Sequence, residues 1–234
     1  MQLGPFDYVI WIVSFLLEAG VVVCALRGKI FYKYLSFSLY MLCAALVNCA
    51  QYVCLRHFGF TSHEYMYTYY YTESLLTIML FFVVIQLYQH AFVEMRVSRY
   101  IRSAAALLLI ITAGFSYAVI HQNKDHLTSR FAVELGQNLY FVGVVLTYLL
   151  WGAILKLRET RTRLIQLVLA LGIYFSATAG TYALRNLFPG LESTILKSVF
   201  PLVGVWLPAA WAYTFFKVPE DARLATARLV ARAR

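Results

Sequence analysis

Long apolar segments, separated by short polar connectors, constrain this chain more than any other feature. Each segment has about 20 residues or more, which is the length that an α-helix needs to cross the hydrocarbon core of a bilayer. The segments cover about residues 6–26, 34–55, 66–89, 101–120, 131–155, 164–184 and 194–216. We therefore predict an all-α integral membrane protein: a seven-transmembrane-helix bundle over residues 1–218, followed by a basic tail over residues 219–234.

The composition excludes a soluble domain. Apolar residues make up 62% of the chain and charged residues 13%, whereas roughly a quarter of the residues of a soluble domain are charged. The net charge of +9 does not indicate nucleic-acid binding, because the basic residues collect in alternate connectors. The four cysteines lie inside apolar segments, so we expect small buried hydrophobes and no disulfide framework.

The distribution of basic residues predicts an orientation. Of the 20 Lys and Arg residues, 15 lie in the first, third and fifth connectors and at the C-terminal end. Short loops rich in Lys and Arg stay in the cytoplasm. We therefore expect a multi-pass protein of the cell inner (plasma) membrane, with the N-terminus outside and the C-terminus and its basic tail in the cytoplasm. The basic face is expected to contact anionic lipid.

A first group of polar residues falls in the outer third of the predicted bundle. It comprises Tyr70, Glu73, Glu134, Arg185 and Lys197. Charges inside a membrane normally face the bundle interior and pair with one another, so this group predicts an outward-facing, ligand-binding chamber. Pairing of Glu73 or Glu134 with Lys197 would reduce the desolvation cost of both charges. The alternative is that these side chains reach the outer headgroups or tie helices together.

A second group lies deeper. Glu18 is about 12 residues into the first span, or roughly 18 Å at the rise of an α-helix, which is too deep for its short side chain to reach the headgroups. Trp11 and Ser14 share its helix face. Together with Asn48 and Gln51 of the second span, Glu18 predicts a buried polar path near the middle of the membrane.

The remaining patterns favour structural roles. The tyrosine run over residues 65–71 is typical of an interfacial aromatic belt, and the small residues Gly136 and Gly143 favour close helix packing. The histidines lie in or next to connectors, so we predict no haem, metal or other cofactor. No HExxH motif, catalytic carboxylate pair or nucleotide-sized inner loop occurs, and we predict that the protein is not an enzyme.

The closing run of the third span is Leu87-Tyr88-Gln89-His90-Ala91-Phe92. With the outside N-terminus and the basic inner connectors, it resembles uncharacterised small bacterial seven-transmembrane-helix proteins. The layout is also similar to the seven-span sensor regions of bacterial histidine kinases. The resemblance implies a sensor or ligand-binding bundle. Because no output domain follows, signalling would need a protein partner at the inner connectors.

Two other functions stay open, a small transporter and a structural subunit of a membrane complex. A transporter must open its polar path to both faces. The inner half of the third span offers only Gln86 and Gln89 as polar groups, which favours the sensor or ligand-binding hypothesis.

Overall fold

The computed structural model describes residues 5–27, 31–59, 62–92, 98–121, 127–157, 160–187, 195–219 and 222–223, with some side chains at helix ends left undescribed. This part of the chain forms α-helices α1 (Pro5–Arg27), α2 (Leu35–Phe58), α3 (His63–Ala91), α4 (Ser98–His121), α5 (Leu127–Lys156), α6 (Thr162–Leu187) and α7 (Ile195–Lys217). Each predicted span lies within one helix or begins one residue before it. The all-α prediction is confirmed.

The lengths and hydropathies of the helices suit a membrane protein. Among the described residues, six helices, α1 to α6, are long and apolar enough to cross a bilayer. The structure is therefore compatible with a multi-pass membrane protein. The seventh span and the orientation of the termini stay predictions.

The turn between α2 and α3 shows how the sequence ends one helix and begins the next. Gly59 has a positive φ of 82° and donates its N–H to the Leu55 carbonyl at 3.0 Å, a conformation that glycine adopts without steric cost. The Ser62 hydroxyl then accepts a 3.1 Å bond from the Tyr65 amide and so caps α3. These bonds set α2 and α3 side by side and antiparallel.

Six helices form a closed ring, and one lies outside it. In the ring, α1 packs on α2, α2 on α3, α3 on α5, α5 on α6, α6 on α7, and α7 returns to α1. Helix α4 packs against α5 and, less extensively, α3, and its outer side chains Leu107, Ile110 and Phe115 are exposed. The interior of the bundle is therefore enclosed by every helix except α4.

The two ends of the ring differ in charge. At one end, the start of α2, the end of α3, the start of α6 and the segment after α7 meet. We call it the basic end, defined by Lys33, His90, Arg161, Arg163 and Arg223. Arg161 Nη2 donates to the His90 carbonyl at 2.9 Å, and the Thr162 amide donates to the Ala222 carbonyl at 3.0 Å. The first and fifth connectors and the C-terminal segment, which the sequence assigns to one face, therefore lie together.

Close packing of α5 on α6 depends on Gly143. A Cβ added at this residue would lie 2.6 Å from Cδ1 and 2.7 Å from Cζ of Phe175, whose side chain is buried in the core. Contacts this short require the buried ring to shift. A glycine at this position therefore allows the two helices to pack closely without displacing Phe175.

Replacement of Gly143 is therefore predicted to destabilise the bundle. Gly143→Ala should lower the free energy of unfolding by about 1–3 kcal/mol, the usual cost of overpacking, measured by thermal unfolding in detergent. Gly152→Ala on the same helix, where a Cβ meets nothing within 4 Å, is the matched control. Addition of Phe175→Leu should restore part of the loss in Gly143→Ala. Equal stability of the two glycine variants would contradict this account of the helix contact.

Candidate functional site: a cavity with two glutamates

A cavity of about 330 Å³ lies inside the ring, in the half away from the basic end. We call it the glutamate cavity. It reaches from Tyr65, in the first turn of α3, to Leu80 near the middle of that helix. Two carboxyl groups, two amides and six aromatic rings are among its lining: Glu18, Glu73, Asn48, Gln51, Trp11, Tyr40, Tyr65, Tyr69, Tyr140 and Tyr174. All six ring helices contribute to it.

The Glu18 carboxyl group is held by a short chain of side-chain hydrogen bonds. Asn48 Nδ2 donates to Glu18 Oε2 at 2.6 Å, and Trp11 Nε1 donates to Asn48 Oδ1 at 3.0 Å. The indole therefore fixes the orientation of the amide, and the amide fixes the carboxyl group. A carboxyl group can accept several hydrogen bonds, so Glu18 keeps capacity to accept from a ligand.

The second carboxyl group, that of Glu73, is held by a tyrosine of the neighbouring helix α5. The Tyr140 hydroxyl donates to Glu73 Oε1 at 2.9 Å and lies 3.4 Å from the Tyr174 hydroxyl. The Tyr140 ring also stacks on Tyr182, with centroids 5.8 Å apart. These contacts join α3, α5 and α6 around Glu73. The Tyr140 contact places a phenolic hydroxyl beside the Glu73 carboxyl group.

Gln51 joins α2 to α3 at the wall of the same cavity. Its Nε2 donates to Thr72 Oγ1 at 3.0 Å, and the Thr72 hydroxyl donates in turn to the Thr68 carbonyl at 2.6 Å. The Gln51 side-chain amide therefore donates a hydrogen bond within the helix pair. Gln51 is 8% exposed, and its position is set by helix packing.

The structure brings part of the predicted site together. Glu73, from the predicted outer chamber, lines the same cavity as Glu18, Asn48 and Gln51, from the predicted buried path. One residue of the predicted outer group, Glu73, thus shares a space with the predicted buried group.

The other predicted chamber residues lie elsewhere or are undescribed. Of the described residues, Tyr70 and Glu134 are half-buried and are not part of the cavity lining. The side chains of Arg185 and Lys197 lie outside the described part of the chain, and their roles stay predictions.

From the tyrosine run, the sequence analysis chose Tyr70, whereas Tyr65 and Tyr69 line the cavity. These two residues have i, i+4 spacing, so they share one face of α3. Tyr69 lies at the edge of the cavity, since it is 37% exposed. The sequence gives less indication of a role for Tyr140, because it is a single tyrosine within the apolar fifth span.

Large side chains close the cavity on the side of the basic end. Leu80 and Tyr40 line its floor, and Trp211 packs beneath Tyr40 with ring centroids 5.8 Å apart. The layer below consists of fully buried apolar side chains: Phe37, Met41, Val83, Val84, Leu87, Leu150, Leu167 and Leu171. In the described structure, the cavity therefore has a closed floor.

The described lining of the cavity contains two carboxyl groups, those of Glu18 and Glu73, and no larger cluster of acidic side chains. Among the described residues, no three His, Cys, Asp or Glu side chains lie close enough to hold a metal ion. The polar lining is suited instead to an organic ligand that donates hydrogen bonds to the carboxyl groups.

Comparison with known proteins does not assign the chain to a family. No protein-family model matches the chain, and no match is found among curated proteins or solved structures. The class therefore rests on the structure itself: an all-helical bundle of apolar helices, compatible with a polytopic membrane protein, with a polar cavity inside it.

Removal of the hydrogen bond between Tyr140 and Glu73 is predicted to cause a measurable loss of stability. Tyr140→Phe removes the hydroxyl and should lower the free energy of unfolding by about 1–3 kcal/mol, because a buried acceptor loses its donor. Thermal unfolding in detergent measures this change. Tyr213→Phe, at a residue that is 61% exposed, is the control and should change stability little. If Tyr140→Phe is as stable as the control, Tyr140 does not hold Glu73.

Proposed function

We propose that this protein is a polytopic membrane sensor or ligand-binding bundle whose glutamate cavity takes a small organic cation, such as a primary amine or a quaternary ammonium compound. The observation that carries the proposal is the pairing of two carboxyl groups with six aromatic rings in one cavity. Carboxylates attract a cation by charge, and aromatic faces attract it through their quadrupoles.

The charge of the lining supports a cation over an anion. The described lining includes Glu18 and Glu73 and no Lys, Arg or His side chain. A bound cation would supply the opposite charge that favours ionised Glu18 and Glu73 side chains and offsets the cost of burying them. The pairing of Lys197 with Glu73 or Glu134, predicted from the sequence, stays a separate prediction.

The size of the cavity limits the ligand. Sites for small molecules range over about 300–1,000 Å³, and this cavity, at about 330 Å³, lies near the lower end. Gly204 of α7 forms part of the wall, and a Cβ there would meet nothing within 4 Å. The space beside Gly204 is therefore open, and a larger side chain at this position would fill the cavity without removing a charge.

The orientation of the bundle in the membrane determines which side the cavity opens to. We infer that the seven helices each span the cell inner membrane, with the N-terminus outside and the basic end in the cytoplasm, as the distribution of Lys and Arg predicts. The glutamate cavity then lies in the outer half and samples the exterior. A protein partner at the inner connectors would receive the signal, as the resemblance to sensor regions of histidine kinases implies.

The closed floor favours a sensor over a transporter. A transporter must expose its site to each face in turn, and fully buried side chains such as Leu87, Leu171 and Trp211 lie between the cavity and the basic end. A transporter that opens this layer by a conformational change is the second candidate function, since Glu18 lies deep in its helix. A structural subunit of a membrane complex is the third candidate.

Titration with organic cations tests the proposal. Purified protein in nanodiscs is titrated with choline and with putrescine, and binding is followed through tryptophan fluorescence, because Trp11 lines the cavity. We expect saturable binding of at least one cation. Glu73→Gln and Glu18→Gln should each weaken binding about tenfold or more, the loss expected when a charged hydrogen-bond partner is removed. Gly204→Leu should abolish it by filling the space.

Glu64→Gln is the matched control. Glu64 lies nine positions before Glu73 on α3, is exposed and does not line the cavity, so its removal takes the same charge from the same helix. If Glu64→Gln weakens binding as much as Glu73→Gln does, the loss comes from surface charge and not from the cavity, and the proposal is contradicted. Uptake of the bound cation into liposomes, abolished by Glu18→Gln, would favour the transporter instead.

A further inference from the structure

A second cavity lies at the basic end, and its charge is opposite to that of the glutamate cavity. It has a volume of about 350 Å³ and is lined by Lys33, Tyr34, His90, Arg161, Arg163, Leu164 and Arg223. The described lining thus includes four basic side chains and a histidine, and no acidic one. The acids nearest in sequence, Glu159, Glu220 and Asp221, lie outside the described residues.

Arg163 is the strongest sign of a ligand. The residue is only 5% exposed, and its Nε and Nη2 donate to the Val218 carbonyl at 3.1 and 2.6 Å. The Phe215 ring lies 5.6 Å from its guanidinium carbon. Its Nη1, however, is buried and has no hydrogen-bond partner among the described residues. A buried charged donor without an acceptor is costly, and a bound anion would supply the missing acceptor.

The fold builds this cavity from four separate parts of the chain. Lys33 precedes α2, His90 is near the end of α3, Arg161 precedes α6, Arg163 lies in its first turn, and Arg223 follows α7. Hydrogen bonds hold these parts together, since the Arg161 side chain donates to the His90 carbonyl at 2.9 Å. An antiparallel β-bridge also joins Arg161 to Arg223. The convergence of basic side chains therefore follows from tertiary structure and not from one charge run.

We propose that the basic cavity is a binding site for a phosphate group, carried either by a phospholipid headgroup or by a soluble phosphorylated compound. Guanidinium groups bind phosphate oxygens through paired, charge-assisted hydrogen bonds. Lys33 adds a point charge, and the edge of the His90 ring, stacked 5.1 Å from Tyr34, adds a polar group. This site is distinct from the glutamate cavity and does not depend on the cation proposal.

Pyrophosphate binding tests the site. The full-length protein is placed in nanodiscs of phosphatidylcholine alone and titrated with sodium pyrophosphate, with thermal unfolding as the measurement. We expect a saturable rise in Tm. The double variant Lys33→Gln/Arg223→Gln should weaken pyrophosphate binding about tenfold or more. Both side chains are exposed, and circular dichroism of the double variant checks that the fold is kept. Arg163 holds the Val218 carbonyl and is left intact.

Arg27→Gln is the control for general charge. Arg27 ends α1, is exposed and does not line the basic cavity, so this variant should bind pyrophosphate like the wild type. An equal loss in Arg27→Gln and in the double variant would overturn the proposal. Absence of saturable binding of pyrophosphate and of anionic lipid to the wild type would overturn it as well.

Native mass spectrometry distinguishes the two sources of phosphate. Protein transferred into nanodiscs that contain phosphatidylglycerol is released and weighed. Retention of phosphatidylglycerol by the wild type, its loss in the double variant and its displacement by pyrophosphate would support a lipid headgroup as the occupant. Saturable pyrophosphate binding without retained lipid would support a soluble phosphorylated compound.

Discussion

The cost of leaving a buried polar group without a partner accounts for the side-chain hydrogen bonds that join the described helices of this bundle. A polar group without a partner costs several kcal/mol in lipid, so hydroxyls such as those of Thr112 and Thr178 donate to carbonyls one turn back on their own helix. Carboxyl groups cannot be satisfied in this way and need donors from other helices. Glu18 finds the Asn48 amide, and Glu73 finds the Tyr140 hydroxyl. Satisfying both acids therefore requires helices to close around them, and the same closure creates the glutamate cavity.

The sequence predicts the helices better than it predicts the site, for a physical reason. Apolar length and breaker residues are local features of the sequence, so the seven helices fall where the segments indicate. Glu18 can be placed in the interior because its side chain is too short to reach water. Which helices meet is a property of the whole chain. Nothing local to Glu73 shows that Tyr140, 67 positions away, donates to it, or that α4 lies outside the ring. From the sequence alone, Glu73 and Glu18 therefore belong to two separate predicted sites, although they line one cavity.

Aromatic rings connect the two cavities through the core. Tyr40, in the floor of the glutamate cavity, lies 5.8 Å from Trp211, and Trp211 lies 4.4 Å from Phe37. Phe37 contacts Tyr34 at 6.0 Å, and Tyr34 lines the basic cavity. Closely packed side chains transmit strain from one to the next. A ligand that shifts Tyr40 therefore has a continuous line of contacts through which it can alter the basic end, which is what a sensor requires.

Cysteine labelling from each face of the membrane tests the central claim most directly. In a background without the four natural cysteines, Thr178→Cys places a thiol in the glutamate cavity, Leu171→Cys in the core below it, and Lys33→Cys at the basic end. Charged methanethiosulfonate reagents are applied to oriented vesicles. The account predicts modification of Thr178→Cys from the outside only, faster with the trimethylammonium reagent than with the sulfonate. It predicts modification of Lys33→Cys from the cytoplasmic side only, and of Leu171→Cys from neither. Modification of Thr178→Cys and Lys33→Cys from the same face, or faster reaction of Thr178→Cys with the anionic reagent, would contradict it.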